Sequence, residues 1–335
     1  MAKVSIVGAG FMGKTHGSAY KELEGSEVVA VVDNVAEKGK KLAEELGANY
    51  YPDLDQCLKE EDTDCVDLCV PTNFNLELTT KAAEAGKHVL CEKPISLSLE
   101  DADRMIEVVK KNNIKGMIGH VLRFWPEYVK SKELVDSGKL GEPLFGFAER
   151  LAVIPDWYEG DWGLDEAYSG GVPLNLAIHD MDYLLWLFGR PSTVSAQGVS
   201  IPKWGGIVHI SANIEFKTGK SALAEGGWAF GGDFPFTMVL RVICEKGTID
   251  WLFRAGKNIE QRAQKSMVYV YENSGNTYTL DVEQKDPYFL ECKYFVDCIN
   301  NDRPIENATF EDGRAAVELA LAAKRSVYEK KIIKL

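Results

Sequence analysis

The sequence predicts an α/β domain followed by an α+β domain, and three observations carry that prediction. Over the first 120 residues, short β-branched runs alternate with amphipathic helical stretches, the pattern of a parallel sheet wrapped by helices. A glycine-rich turn, Gly8-Ala9-Gly10-Phe11-Met12-Gly13, follows the first of those runs directly. Residues 192–280 then hold several strand-like runs with no helix between them. Turns such as Lys217-Thr218-Gly219-Lys220 and Asn273-Ser274-Gly275-Asn276 separate them, which signals a mainly antiparallel sheet.

Taken in order, KVSIV, VVAVV, CVDLCV, HVLC and KGMIG read as strands, with helices near residues 12–24, 35–46, 75–85 and 98–113. Ser98, with Asp101 three residues on, opens the last of these as a capping box would. After about residue 123 the rhythm changes. A helix near 126–137 stops at Gly138, the strand LFGFAERLAV follows, and then comes a loop rich in Trp, Asp and Gly. An apolar helix over 173–188 ends at Gly189-Arg190-Pro191. Two closing helices, near 287–300 and 310–328, are expected to cover one face of the antiparallel sheet. At roughly 100–200 residues per domain, 335 residues divide into two, placed here at 1–122 and 123–335.

Composition narrows the function classes. With 38 basic against 51 acidic side chains, the formal charge of −13 repels phosphate backbones and anionic membrane surfaces, so neither nucleic acid nor a membrane is an expected partner. There is no apolar run long enough to span a bilayer, and the amino terminus enters a strand without a leader-like pattern, so a cytoplasmic location is expected. The seven cysteines are scattered through apolar stretches with no C-x-x-C pair, which reads as reduced, packed thiols.

The glycine turn between a strand and a helix is the context a dinucleotide fingerprint requires. Gly8, Gly10 and Gly13 allow the tight turn and close backbone approach, and Phe11 and Met12 start a helix whose dipole would face a pyrophosphate. Asp33 ends the second strand twenty residues after Gly13, where a carboxylate can accept hydrogen bonds from the adenosine ribose. Asn34 beside it adds no positive charge, so NAD is favoured over NADP unless Lys38 or Lys40 compensates a 2′-phosphate. Glu92-Lys93-Pro94 ends the strand HVLC, and the carboxyl ends of parallel strands line the ligand crevice in such folds.

On a continuous helix over 173–188, Asn175, His179 and Asp182 follow i, i+4, i+7 spacing and form a polar stripe beside an apolar one. One imidazole with no second histidine nearby favours acid–base work over metal binding, and no metal site is expected. The loop Pro155-Asp156-Trp157-Tyr158-Glu159-Gly160-Asp161-Trp162 mixes aromatic faces with carboxylates, which suits a polyol and equally suits a subunit interface.

The fingerprint, Pro71-Thr72-Asn73, the segment Ala85-Gly86-Lys87-His88-Val89-Leu90-Cys91-Glu92-Lys93-Pro94, and Ser169-Gly170-Gly171 leading to His179 together resemble the glucose-fructose oxidoreductase / inositol dehydrogenase (Gfo/Idh/MocA) family over nearly the whole chain. The resemblance implies a Rossmann domain followed by an open-faced sheet that packs subunits into homodimers or homotetramers. It implies that Lys93 reaches the place where nicotinamide and a substrate hydroxyl meet, on a turn shaped by Glu92 and a cis Lys93–Pro94 bond. His179 matches the family's catalytic histidine, Trp162 a position near nicotinamide, and Arg123 a recurrent arginine that recognises substrate or bridges domains. Pro71, Thr72 and Asn75 would touch the cofactor.

Two positions depart from the family pattern. Asn175 stands where members active on inositols usually carry Asp, and Asn75 where a histidine is frequent. A neutral amide can orient the His179 ring but supplies no charge to stabilise imidazolium, so His179 should stay unprotonated to lower pH.

The resulting expectation is an NAD-dependent dehydrogenase oxidising a secondary hydroxyl of a cyclic polyol or sugar, with Lys93, His179 and Asn175 at the chemistry and Arg123 and Trp162 on the substrate. The alternatives are a glycosidase that oxidises its sugar transiently, and a non-catalytic dinucleotide sensor.

Overall fold

A computed structural model describes residues 1–154, 165–204, 206–256 and 266–335. The chain runs β1 (Ala2–Val7), α1 (Phe11–Glu22), β2 (Ser26–Val32), α2 (Ala36–Leu46), β3 (Asn49–Tyr51), α3 (Leu54–Glu60), β4 (Cys65–Leu68), α4 (Asn75–Glu84), β5 (His88–Glu92), α5 (Leu99–Lys111) and β6 (Gly116–Gly119). It continues through α6 (Pro126–Asp136), β7 (Pro143–Val153), α7 (Glu166–Ser169), α8 (Gly171–Asn175), α9 (Ile178–Phe188), β8 (Pro191–Ile201), β9 (Gly206–Phe216), β10 (Ser221–Phe230), β11 (Thr237–Cys244), β12 (Gly247–Arg254), β13 (Val268–Glu272) and β14 (Thr277–Thr279). It closes with α10 (Pro287–Asn300), α11 (Phe310–Glu329) and β15 (Ile333–Lys334).

Two compact units result, Met1–Phe124 with Lys285–Arg314 and Trp125–Gln284 with Ala315–Leu335. The sequence boundary near residue 122 falls two residues from the first crossing, but the return of residues 285–314 to the first unit is not part of that expectation. The physical reason lies on α10. Its buried residues Cys292, Phe295 and Val296 join Val4, Tyr20, Leu23 and Leu90 in one core, so α10 packs on α1 and β1 instead of covering the second sheet.

In the first unit the six strands are all parallel, in the order β3-β2-β1-β4-β5-β6. Successive strands are added outward on one side of β1 and then on the other, so the order reverses between β1 and β4. That reversal opens a crevice at the carboxyl ends of these two strands. Strands covered on both faces are buried throughout, as Cys65–Leu68 is, and the one charged residue in it, Asp67, is buried with its apolar neighbours. The Ser98 hydroxyl accepts the Asp101 N–H at 3.1 Å and caps α5 as its sequence indicated. β3 and α3 are additions to the sequence reading, which found no strand or helix between residues 47 and 64. Both are too short to show a period. Asp53 caps α3 by accepting the Gln56 N–H at 2.9 Å.

In the second unit a nine-stranded sheet among the described residues runs β14-β13-β12-β11-β7-β10-β9-β8-β15. Its pairings are antiparallel except β7 with β10, which is parallel. α8 and α9 pack against β7, β9 and β10 on one face. Tyr128 of α6 meets Tyr183 of α9 edge-on at 4.7 Å and Trp251 of β12 at 5.1 Å on that same face. The opposite face leaves Ile243, Leu252, Tyr269 and Tyr271 exposed.

The single helix expected over 173–188 is broken into α8 and α9. The N–H groups of Leu176 and Ala177 both bond the Val172 carbonyl, so the i, i+4 register from Asn175 to His179 does not hold.

All seven cysteines are free thiols, and every one but the half-buried Cys69 is buried. No helix among the described residues is long and apolar enough to cross a membrane.

One buried ion pair joins sheet and helix in the second unit. Arg150 on β7 donates from Nε to Asp180 on α9 at 2.8 Å, with Asp180 fully buried. Burial pushes the Asp180 carboxyl up, and Arg150 opposes that rise. Asp180→Ala strands the guanidinium, and the expected loss of stability is about 3–5 kcal/mol, read from urea unfolding.

Candidate active site

The glycine turn is shaped by close backbone approach. Gly8 has φ +102°, and a Cβ there would run into the Cys69 carbonyl oxygen, while a Cβ on Gly13 would run into the Gly8 carbonyl oxygen. Gly10 behaves differently. It precedes α1 with no side-chain cap, and a Cβ on it would meet nothing within 4 Å. The first N–H groups of a twelve-residue helix therefore begin at a glycine beside open space, which fits a dinucleotide pyrophosphate. Phe11 and Met12 form the half-buried first turn of that helix.

Asp33 is pinned to the same turn. Its Oδ2 accepts the Ala9 N–H at 2.7 Å and its Oδ1 accepts the Val35 N–H at 2.7 Å. Each carboxylate oxygen keeps capacity for a further donor, as a ribose diol requires. Asn34 is exposed. Lys40 lies over the Tyr50 ring with Nζ 5.7 Å from its centroid, and the Tyr50 hydroxyl donates to the Asp33 carbonyl at 3.1 Å.

Pro71 and Thr72 enter a short 3-10 turn, Thr72–Phe74, both half-buried. Asn75 follows as the first residue of α4 and is 1% exposed. Its amide donates to the Pro94 carbonyl at 3.1 Å and the Ile95 carbonyl at 3.3 Å. Asn75 thus braces the chain after Lys93, whose peptide bond to Pro94 is cis as expected. Both Asn75 amide hydrogens are engaged in this way, an arrangement the sequence reading, which placed Asn75 on the cofactor, did not foresee. Lys93 is half-buried, and its backbone N–H donates to Glu92 Oε2 at 3.0 Å.

Behind this turn lies a buried charged cluster that the sequence reading missed. His16 of α1 places Nδ1 2.8 Å from Asp67 Oδ2 and Nε2 3.2 Å from Glu92 Oε1, with Glu291 Oε2 3.9 Å away. The Tyr20 hydroxyl donates to the same Asp67 oxygen at 2.9 Å, and the Cys69 thiol donates to the other at 3.4 Å. Neither Glu291 oxygen nor His16 Nε2 has a hydrogen-bond partner among the described residues, so the Nε2–Glu92 approach is an ion-pair contact only.

Burial alone would push His16 down, but the Asp67 carboxylate holds it well above the usual imidazole range. Burial first and the Glu92 charge second push Glu291 well up. Two trios, His16 with Asp67 and Cys69, and His16 with Glu92 and Glu291, come close enough to be considered as metal ligands. The signal for the cluster was available as three ionisable residues set in apolar patterns: His16 on the buried face of α1, Asp67 within CVDLCV, and Glu291 on α10.

In the second unit Asn175 ends α8 and His179 lies in the first turn of α9, both half-buried, while Asp182 is buried. Asp180, beside His179 in the sequence, has its carboxylate bonded to Arg150. Arg123 belongs to the first unit and is 5% exposed. Its Nη1 lies 3.1 Å from Asp312 Oδ2, and Asn307 Nδ2 donates to its carbonyl at 3.3 Å. Trp162, Trp157 and Tyr158 lie outside the described residues.

Comparison with known proteins identifies the family. The model of an oxidoreductase family with an NAD-binding Rossmann fold, GFO_IDH_MocA, matches residues 2–120, and that of the GFO/IDH/MocA C-terminal domain matches residues 128–250. The myo-inositol 2-dehydrogenase of Thermotoga maritima is 28% identical over 347 aligned positions, covering 99% of this chain and 98% of that one. The 2,7-anhydro-N-acetylneuraminate hydratase of Mediterraneibacter gnavus is 33% identical over 232 positions, covering 68% of this chain and 61% of that one. Among solved structures, the aldose-aldose oxidoreductase from Caulobacter crescentus has a TM-score of 0.86 at 24% identity, covering 100% of this chain and 99% of that one, a likeness of fold.

Two outcomes are expected from this geometry. NAD should bind at least about tenfold more tightly than NADP, since a 2′-phosphate meets the Asp33 carboxylate, and Asp33→Ala should narrow the gap in calorimetry. His16 and Glu291 both hold protons more tightly folded than unfolded. Their contribution to stability is therefore complete below the ordinary values of 4.5 for Glu291 and 6.5 for His16, and is lost as pH rises through the folded values. Urea unfolding of the first unit across that range should show stability falling as pH rises, and Glu291→Gln should flatten the fall.

Proposed function

Because the chain belongs to the GFO/IDH/MocA oxidoreductase family, we propose that it is a cytoplasmic NAD-dependent dehydrogenase oxidising a secondary hydroxyl of a cyclic polyol or sugar. The observation that carries the reading is the Glu92-Lys93-Pro94 turn at the carboxyl end of β5, in the same parallel sheet as the glycine turn and Asp33. The likeness to a myo-inositol 2-dehydrogenase over nearly the whole chain supports the substrate class.

The glycine turn and Asp33 hold the dinucleotide, with Pro71 and Thr72 beside it, and nicotinamide when bound supplies the hydride acceptor. The Lys93 ammonium donates a hydrogen bond to the substrate oxygen, where negative charge grows as the proton leaves. His179 takes that proton, and Asn175 orients its ring. Arg123, paired with Asp312, braces the end of the Rossmann segment and is not assigned to substrate.

The hydratase relative supports a second reading, in which the sugar is oxidised and reduced again within one turnover. The readings part in one experiment. Inositols, aldoses, uronates and glycosides are screened with NAD: net NADH marks the dehydrogenase, whereas a changed sugar without net NADH marks transient oxidation.

The exposed face bearing Ile243, Leu252, Tyr269 and Tyr271 is the surface through which copies of the chain associate as a homodimer or homotetramer.

Two outcomes are expected. Lys93→Ala lowers turnover by roughly 10²–10⁴-fold with little change in NAD affinity, because the loss falls on charge present mainly in the transition state; near-normal turnover on the true substrate would remove the lysine from the chemistry. Leu252→Glu shifts the mass measured by light scattering toward the monomer, and a monomeric parent protein would refute the assembly.

A further inference from the structure

The reaction just described makes no use of the cluster behind the Glu92-Lys93-Pro94 turn, yet that cluster is built around it. His16 lies on α1, three residues after the last fingerprint glycine and one turn from the pyrophosphate end of the helix. Its ring reaches Asp67 on β4 through Nδ1 at 2.8 Å and Glu92 at the end of β5 through Nε2 at 3.2 Å. The other Glu92 oxygen accepts the Lys93 backbone N–H at 3.0 Å. One ring therefore links the cofactor helix to the residue that carries the lysine.

We propose that His16 is a positioning residue for Lys93, clamping the Glu92 carboxylate so that its free oxygen fixes the start of the Lys93-Pro94 turn. The inference rests on the reading of Lys93 as a residue that acts on the substrate oxygen.

Nδ1 is hydrogen-bonded to Asp67, whereas Nε2 faces Glu92 Oε1 at 3.2 Å as a close ion-pair contact without a hydrogen bond. A doubly protonated ring attracts both carboxylates, while a neutral ring would set a lone pair against one of them. Asp67 is itself held by the Tyr20 hydroxyl and the Cys69 thiol, so it presents one fixed oxygen to the ring. One positive charge between Asp67 and Glu92 leaves Glu291 as the group that stays neutral. It is fully buried, has no donor to either oxygen among the described residues, and sits 3.9 Å from a ring nitrogen already facing Glu92. Cys292 and the Tyr288 ring, whose centroid is 6.1 Å from that of His16, complete the surroundings. A divalent cation held by His16, Glu92 and Glu291 is the competing account of the same three side chains.

The test needs no substrate. The full-length protein is labelled with ¹³Cε1-histidine, and the His16 signal is identified by its loss in His16→Asn. It should remain in the imidazolium position at about pH 8, where a ring of ordinary pKa is all but neutral. In parallel, the Lys93 amine is labelled competitively with acetic anhydride and its modified fraction read by mass spectrometry. His16→Asn and Glu92→Gln should each change the Lys93 labelling rate by roughly threefold or more, the scale of a half-unit displacement of an acid–base equilibrium, while Glu291→Gln leaves it unchanged.

Glu92→Gln preserves shape and carries the labelling arm if His16→Asn does not fold. Three results would overturn the proposal: folded His16→Asn and Glu92→Gln proteins that label as wild type, a His16 signal that titrates at the ordinary imidazole value, or one equivalent of zinc in the purified protein that is lost with His16. Retained turnover in Lys93→Ala would instead remove the catalytic reading and leave the labelling result standing.

Discussion

Two close approaches of backbone to backbone set the geometry of the first unit: Gly8 against the Cys69 carbonyl, and Gly13 against the Gly8 carbonyl. Both occur where β1 and β4 diverge and the strand order reverses. Neither tolerates a Cβ, and together they bring the start of α1 down onto the sheet. The consequences spread along the elements involved. Asp33 can then reach the Ala9 N–H from the end of β2, and His16 can reach both β4 and β5 from α1. A helix held even one methyl group farther from the sheet would give up these contacts.

Charge inside this unit follows a rule of local balance. Asp67, Glu92, His16 and Glu291 are buried close together, where an isolated ion would cost several kcal/mol. The arrangement keeps one cation between two anions and leaves the remaining carboxyl neutral, with the Tyr20 hydroxyl and the Cys69 thiol satisfying Asp67. In the second unit Arg150 and Asp180 form the corresponding pair between sheet and helix. These polar joints lie between elements rather than within them, and they fix register where apolar packing alone would allow sliding.

Local pattern carried much of this architecture. The fingerprint, five of the six strands of the first sheet and the Ser98 cap were legible because each rests on a few adjacent residues, whereas the cis bond in Glu92-Lys93-Pro94 followed from the family resemblance. β3 and α3 were missed because three and seven residues are too few to show a period. The break after Asn175 escaped because residues 173–188 keep a helical apolar pattern straight through it, and nothing at Leu176 or Ala177 marks a stop. Placing α10 required knowing that its Cys292, Phe295 and Val296 fit the side chains of α1 and β1, a complementarity that no single segment displays. The same holds for the site. Asp33 was read from its spacing, whereas the braces made by Asn75 and Arg123 and the His16 cluster join residues far apart in sequence.

The route of the chain has a consequence for how the protein comes into being. The first unit begins at Met1 but is completed by Lys285–Arg314, which supply Glu291, Cys292, Phe295, Val296 and Ala308 to its interior. During synthesis its opening 124 residues must therefore wait while some 160 further residues are made, with one side of β1 and α1 uncovered. The two units alternate along the chain, so the first closes only with Lys285–Arg314 and the second only with Ala315–Leu335, the last segment made. A fragment ending near residue 124 would carry the whole fingerprint and still lack part of its core, so the dinucleotide-binding half of this protein is not a portable module.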